Sequence, residues 1–189
     1  MQFSNSFIAA GLFVFVASSP MPKKHTAATT SASASSATGV TGGVAAPGTD
    51  VLEASAYNDF QISTGVGGDA ESKANALFSR LPVDLSQVTA NDLEIIQGVH
   101  DAAEDAEVQG FNPAIAAASG TDADALSVGK IQNKVLKLTA EVLGIKIETA
   151  QGGDSSDLAA EEAKLTKNIA TDKASAGAAS QSVDFSGTS

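Results

Sequence analysis

Apolar residues recur from Val128 to Ile147 at the spacing of a helix. Val128, Ile131, Val135, Leu138, Val142 and Ile145 are spaced 3, 4, 3, 4 and 3 apart, which lines them along one side. Leu136, Ala140, Leu143 and Ile147, spaced 4, 3 and 4, form a second stripe. At about 100° per residue the two stripes lie roughly 150° apart. Gln132, Thr139 and Lys146 fall between them, and Lys130, Lys134, Lys137, Glu141 and Glu148 take the far side. A helix apolar on two sides needs two neighbours. The pattern predicts one long helix that opens at Thr121-Asp-Ala-Asp124, where early acids suit the positive end of the helix dipole, and runs to about Ala150. Gly129 and Gly144 weaken it by about 1 kcal/mol each against Ala. Close approach of a neighbour would explain such glycines.

The flanking pattern supplies the neighbours. Gln151-Gly-Gly-Asp154 reads as a short turn into a last helix whose acids (Asp157, Glu161, Glu162) come early and whose lysines (Lys164, Lys167, Lys173) come late, matching the dipole. Its apolar set is thin, with Leu158, Leu165 and Ile169 supplemented by alanines, so it can approach the central helix closely as an αα-hairpin. A first helix starts at Asp69 as N-cap, carries Ala70, Ala74, Leu77, Phe78 and Leu81, and is stopped by Pro82. A second starts at Thr89-Ala-Asn-Asp92, a capping box with Asp in place of the usual Glu. Its buried stripe is Leu93, Ile96, Val99, Ala103, Ala106 and Gly110; Phe111-Asn-Pro113 ends it and opens a short helix through Ser119. The expected fold is all-α: a compact bundle of about four helices over residues 65–180, with a long C-terminal αα-hairpin and a flexible tail at 181–189.

Upstream the pattern changes. Phe7-Ile-Ala-Ala-Gly-Leu-Phe-Val-Phe-Val16, followed by Ala17-Ser18-Ser19, makes residues 1–19 a signal peptide, too short an apolar run for a membrane span. Residues 20–64 read as a low-complexity Ser/Thr/Ala/Gly-rich disordered segment, with clustered hydroxyls as candidate O-glycan acceptors. Within it, Tyr57, Phe60 and Ile62 are apolar enough to pack on the domain. Gly65-Val-Gly-Gly-Asp lacks the Gly-Lys-Ser/Thr ending of a phosphate loop and reads as a hinge.

Composition narrows the chemistry. A formal net charge of −11 leaves little to neutralise phosphates, so nucleic acid and anionic membrane surfaces are poor partners. With no Cys there are no disulfides or thiolate sites. With no Trp and one Tyr, the core is expected to be aliphatic and small-residue. His100, Asp101, Glu104 and Asp105 share helix faces at i, i+4 spacing, but a bundle metal site draws ligands from facing helices. The face is therefore read as salt-bridged, with Lys130, Lys134 and Lys137 available to neutralise it. No catalytic grouping, metal site or cofactor is expected. The second stripe is read first as core. Its alternative is an apolar groove or interface at Leu136, Leu143 and Ile147.

Several runs carry a resemblance: Lys73-Ala-Asn-Ala-Leu-Phe78, Val83-Asp-Leu-Ser86, Ala102-Ala-Glu-Asp-Ala-Glu107, Phe111-Asn-Pro113, Gly129-Lys-Ile131, Asn133-Lys-Val-Leu-Lys-Leu138 and Glu162-Ala-Lys-Leu-Thr-Lys-Asn-Ile-Ala170. Over about residues 65–183 the chain resembles a family of small secreted proteins of filamentous ascomycete fungi. The resemblance implies secretion and an all-α domain and carries no mechanism. The expectation is a secreted, extracellular, non-enzymatic interaction protein, effector-like or associated with the cell wall, whose partner is an unknown protein. The alternative is a carrier of an apolar small molecule or lipid, held between the second stripe and the second helix.

Overall fold

The structure is a computed structural model and describes residues 48–189. The signal peptide expected at 1–19, and the low-complexity segment up to residue 47, lie outside the described residues. The elements in order are α1 (Tyr57–Phe60), β1 (Gly65–Val66), α2 (Ala70–Leu77), α3 (Ala90–Asp105), α4 (Asn112–Ala117), α5 (Thr121–Ala150), α6 (Leu158–Ala174) and β2 (Ala179–Ser180). A 3-10 turn at Leu85–Gln87 precedes α3, and a π turn at Ala106–Phe111 joins α3 to α4. Among the described residues the fold is all-α apart from the two-residue pairing of β1 with β2 and two isolated bridges, Ala56 with Thr188 and Gly67 with Ala176.

The central helix is α5, with the bounds its pattern predicts. Both α3 and α6 pack along it, and α2 joins them. The two-neighbour requirement is exceeded. Lys130, Lys134 and Lys137 lie against acids of α3 and the π turn, while Lys146 reaches Glu162 of α6 at 2.8 Å. Thr89 caps α3, its hydroxyl accepting from the Asp92 N–H at 3.0 Å. Two ends differ from expectation. Helix α2 stops at Leu77 rather than at Pro82, because Phe78 to Leu81 already form tight turns, Phe78 N–H on Asn75 O and Leu81 N–H on Phe78 O. Phe111-Asn112-Pro113 does not end α3: the π turn carries the chain straight into α4, and the Asn112 side chain accepts from Lys130 Nζ instead of capping.

The two ends of the domain overturn expectation most. Residues 51–62 lie within the segment expected to be disordered, yet they rest on the domain: Val51 is buried together with Tyr57, Phe60 and Ile62, the three side chains whose apolar character allows packing, and Tyr57 is the largest fully buried side chain. Tyr57 stacks edge-on with Phe60 and Phe185 at 5.6 and 5.7 Å, an arrangement suited to ring quadrupoles. Residues 181–189, expected to be a flexible tail, run back across the helices as a strap. Gln181 N–H donates to Ala125 O at 3.0 Å, Tyr57 N–H to Gly187 O at 2.8 Å and Ser189 N–H to Ser55 O at 3.0 Å. The domain therefore extends beyond 65–180 at both ends.

The strap also explains Gly129, since the Gln181 carbonyl fills the place of a Cβ and the Phe111 ring stands 3.2 Å from it. Nothing stands within 4 Å of a Cβ at Gly144. Gly144→Ala should therefore raise stability by about 0.5–1 kcal/mol, read as a higher urea midpoint with an unchanged slope. A loss would mean that α5 meets a neighbour there.

Candidate functional site

The acidic face of α3 is built into the fold. Glu107 is the second residue of the π turn and is 9 % exposed. Its carboxylate meets Lys137 at 3.1 Å, Lys134 at 3.5 Å and Lys130 at 3.6 Å, and Lys137 also binds Glu104. These three lysines recur at i, i+4 and i+7 on α5, so one face aims all of them at the junction. Burial alone pushes the Glu107 carboxyl up. The Lys137 hydrogen bond and the charges of all three lysines outweigh it and hold the group below its ordinary 4.5. The sign follows: stability is present above pH 4.5 and is lost as pH falls through the lower folded value. At pH 7 Glu107→Gln should cost about 1–3 kcal/mol. That difference should close between pH 4.5 and the acid limit in paired urea titrations; a difference constant with pH would deny the ion cluster its role.

His100 belongs to the same face. Its Nδ1 lies 3.0 Å from Asp101 Oδ1 and its Nε2 2.5 Å from Glu141 Oε2 across the helix interface. Among the described residues no group of three His, Cys, Asp or Glu side chains is placed to hold a metal ion. The geometry is that of an interhelical side-chain contact between α3 and α5.

Buried polar side chains that periodicity could not reveal hold the ends of the domain. Asp92 accepts from Val51 N–H at 3.0 Å and Leu52 N–H at 2.9 Å. This is why its carboxylate does not complete the capping box. Asp172, in the last turn of α6, accepts from Gly68 N–H at 3.0 Å and Ala70 N–H at 2.9 Å. It caps α2 from outside, while Asp69, expected to do so, instead binds Lys73 and Gln132. Tyr57 Oη donates to Asn133 Oδ1 at 2.9 Å, and Asn133 Nδ2 donates to Ala103 O at 2.8 Å. Burial pushes the Tyr57 phenol well above its ordinary range, so it remains a donor. Gln132 donates to Val66 O at 2.9 Å and accepts from Ser180 Oγ at 2.8 Å. These groups are spent on the fold.

The candidate apolar stripe divides. Leu136 and Ile147 are both 0 % exposed and sit in the main core, which closes the groove expected between that stripe and α3. Leu143 is only half-buried and lies in an open depression of about 400 Å3. Phe78, Leu81, Pro82, Val83 and Leu85 line one side of it, with Thr139, Val142 and Lys146 of α5 and Leu165 of α6 completing the wall. At its edge Val83 is 87 % exposed, the most exposed large apolar side chain among the described residues. Val83 and Leu85 were not expected as site residues. The run Leu81-Pro-Val-Asp-Leu85 has no helical or strand period, and its one visible signal is apolar density in a turn.

The fold and this depression define a small helical bundle with an apolar surface cleft beside a non-helical loop. The chain belongs to the family described as a domain of unknown function (DUF8454), whose pattern matches residues 52–184. That match begins before residue 65 and ends after residue 180, in keeping with the packed segments at both ends. No curated protein and no solved structure matches the chain. No helix among the described residues is long and apolar enough to cross a membrane.

Proposed function

We infer that the protein is a secreted, non-enzymatic interaction protein and that the depression at Leu143 and Val83 is the face it offers to a protein partner. The observation that carries the reading is Val83, 87 % exposed on the rim of a mainly apolar cleft that Asn75, Thr139 and Lys146 also border. An apolar side chain held in water beside an apolar wall gains from being covered, at about 25 cal/mol per Å2. Secretion rests on the apolar run Phe7–Val16 and its small-residue sequel. A carrier of apolar molecules needs an enclosed space; Leu136 and Ile147 fill the one expected, and the remaining cleft is open.

The absence of cysteine makes the test clean, since a single introduced thiol is the only one in the chain. The V83C and A160C variants carry the same photo-crosslinker, Ala160 being an exposed position of α6 away from the cleft. Returned to the culture of the producing organism, V83C should give a protein adduct of discrete mass and A160C none. Equal labelling at both positions, or none at Val83, would remove the cleft from the proposal. Intact mass of the chain recovered from the medium should correspond to removal of the first 18 or 19 residues; retention in cells with the leader intact would overturn secretion.

A further inference from the structure

The strap is attached differently from everything it covers. Of its last eight residues, Asp184, Ser186 and Thr188 are exposed and the others only half-buried. Its hydrogen bonds to the body run to one short segment, Ser55 to Asn58: besides the backbone bonds of Tyr57 N–H on Gly187 O and Ser189 N–H on Ser55 O, Asn58 Nδ2 donates to Asp184 Oδ1 at 2.5 Å, Phe185 N–H to Asn58 Oδ1 at 3.2 Å, and Ser55 N–H to Ser189 Oγ at 3.0 Å. Phe185 against Tyr57 is its one aromatic anchor. The segment it grips is held independently, through Asp92 on Val51 and Leu52 and through Asn133 on Tyr57. The strap can leave without taking Tyr57 with it.

The seat beneath it is helical and shaped by glycine. A Cβ at Gly98 of α3 would collide with the Ser189 backbone, and one at Gly110 would come within 2.7 Å of Val183 Cγ2. Neither glycine is needed for helix geometry, and Ala would favour a helix at Gly98. The atoms nearest to where their side chains would stand belong to the strap. Gln181 on Ala125 and Ser180 on Gln132 and Ser63 pin the chain just before it.

We propose that residues Ser182–Ser189 form a releasable clasp: it opens as a unit while α3, α5 and α6 stay folded, and in opening bares the edge of Tyr57 and the seat along Gly98 and Gly110. Weakly buried segments with exposed hydrogen bonds open below the global unfolding free energy, and this one meets that description while its seat does not. The Tyr57 amide reports on it, because its N–H is bonded to Gly187 O though the residue itself is 0 % exposed.

Amide hydrogen exchange on the full chain tests this. The amides of Tyr57, Phe185 and Ser189 should exchange together, at least about 100-fold faster than those of α5 between Val135 and Val142. Phe185→Ala should speed that group by about 10-fold and leave α5 unchanged. Gly98→Ala discriminates further: it should speed the strap amides while α3 exchanges no faster, because the substitution strains the clasp and favours the helix. Strap and α5 amides exchanging at one common rate, or Gly98→Ala and Phe185→Ala accelerating α5 in step with the strap, would show that the segment is integral to the global fold and would overturn the proposal.

Discussion

Leu136→Ala should lower the unfolding free energy by about 3–5 kcal/mol, a large share of the roughly 5–15 kcal/mol available to a domain of this size. Leu136 is fully buried in the cluster that joins Tyr57, Ile96, Val99 and Ile147. Truncation removes transfer free energy and leaves a cavity that helices packed around α5 cannot collapse into. Leu143→Ala, two stripe positions along, should cost only about 1–1.5 kcal/mol, because Leu143 is half-buried and already borders open space. Urea titration of both variants decides the matter. Near-equal costs would mean that the stripe is uniformly core or uniformly surface, and the cleft at Leu143 would lose its distinctness.

Asp92→Ala should cost about 3 kcal/mol and release the N-terminal segment. The carboxylate is 0 % exposed and accepts from two successive backbone N–H groups. Bonds to a charged acceptor contribute about 1.5–3 kcal/mol each, and the half-exposed Leu52 amide recovers part of its share from water. Asp92→Asn keeps one acceptor oxygen without the charge and should cost about half as much. The chain has one Tyr and no Trp, so tyrosine emission follows Tyr57 alone and should change before the far-ultraviolet signal of the helices. A single coincident transition at wild-type stability would show that the segment does not depend on Asp92.

The glutamate cluster shows how local and tertiary information combine. Lys130, Lys134 and Lys137 on one face of α5, and an acidic α3, are visible as spacing, and their mutual neutralisation is a direct expectation. That Glu107 rather than Glu104 sits at the centre is decided by tertiary packing: Glu107, in the π turn, meets all three lysines, whereas Glu104 meets Lys137. Nothing in the string Ala106-Glu-Val-Gln-Gly-Phe111 announces a π turn.

The candidate site was half legible for a similar reason. Helical periodicity assigns Leu136, Leu143 and Ile147 to one stripe, and the three do share a side of α5. Depth along that side is set by what lies opposite: the main core around Leu136, and a loop beside Leu143. The loop contributes Pro82, Val83 and Leu85 without any period, so pattern reading has nothing to grip.

The sequence by itself determined the helices whose signals are local. Thr121 to Ala150 follows from two stripes and early acids, the αα-hairpin from a glycine turn and a charge order, and the start of α3 from Thr89 three residues before Asp92. Tertiary structure decided the ends of the domain and the uses of its buried polar groups. Asp172 sits at an unfavourable helix C-terminus until Gly68 and Ala70, at the start of α2 and 104 and 102 residues earlier in the chain, each offer it an N–H donor. Asp92 reads as half a capping box until Val51 and Leu52 arrive, and a strap of Ser, Gly and Thr reads as a frayed tail until glycines on two helices seat it. Periodicity and capping are properties of neighbours in sequence. A buried hydrogen bond between distant segments has no local trace, because its energy exists only once burial has removed the competing water.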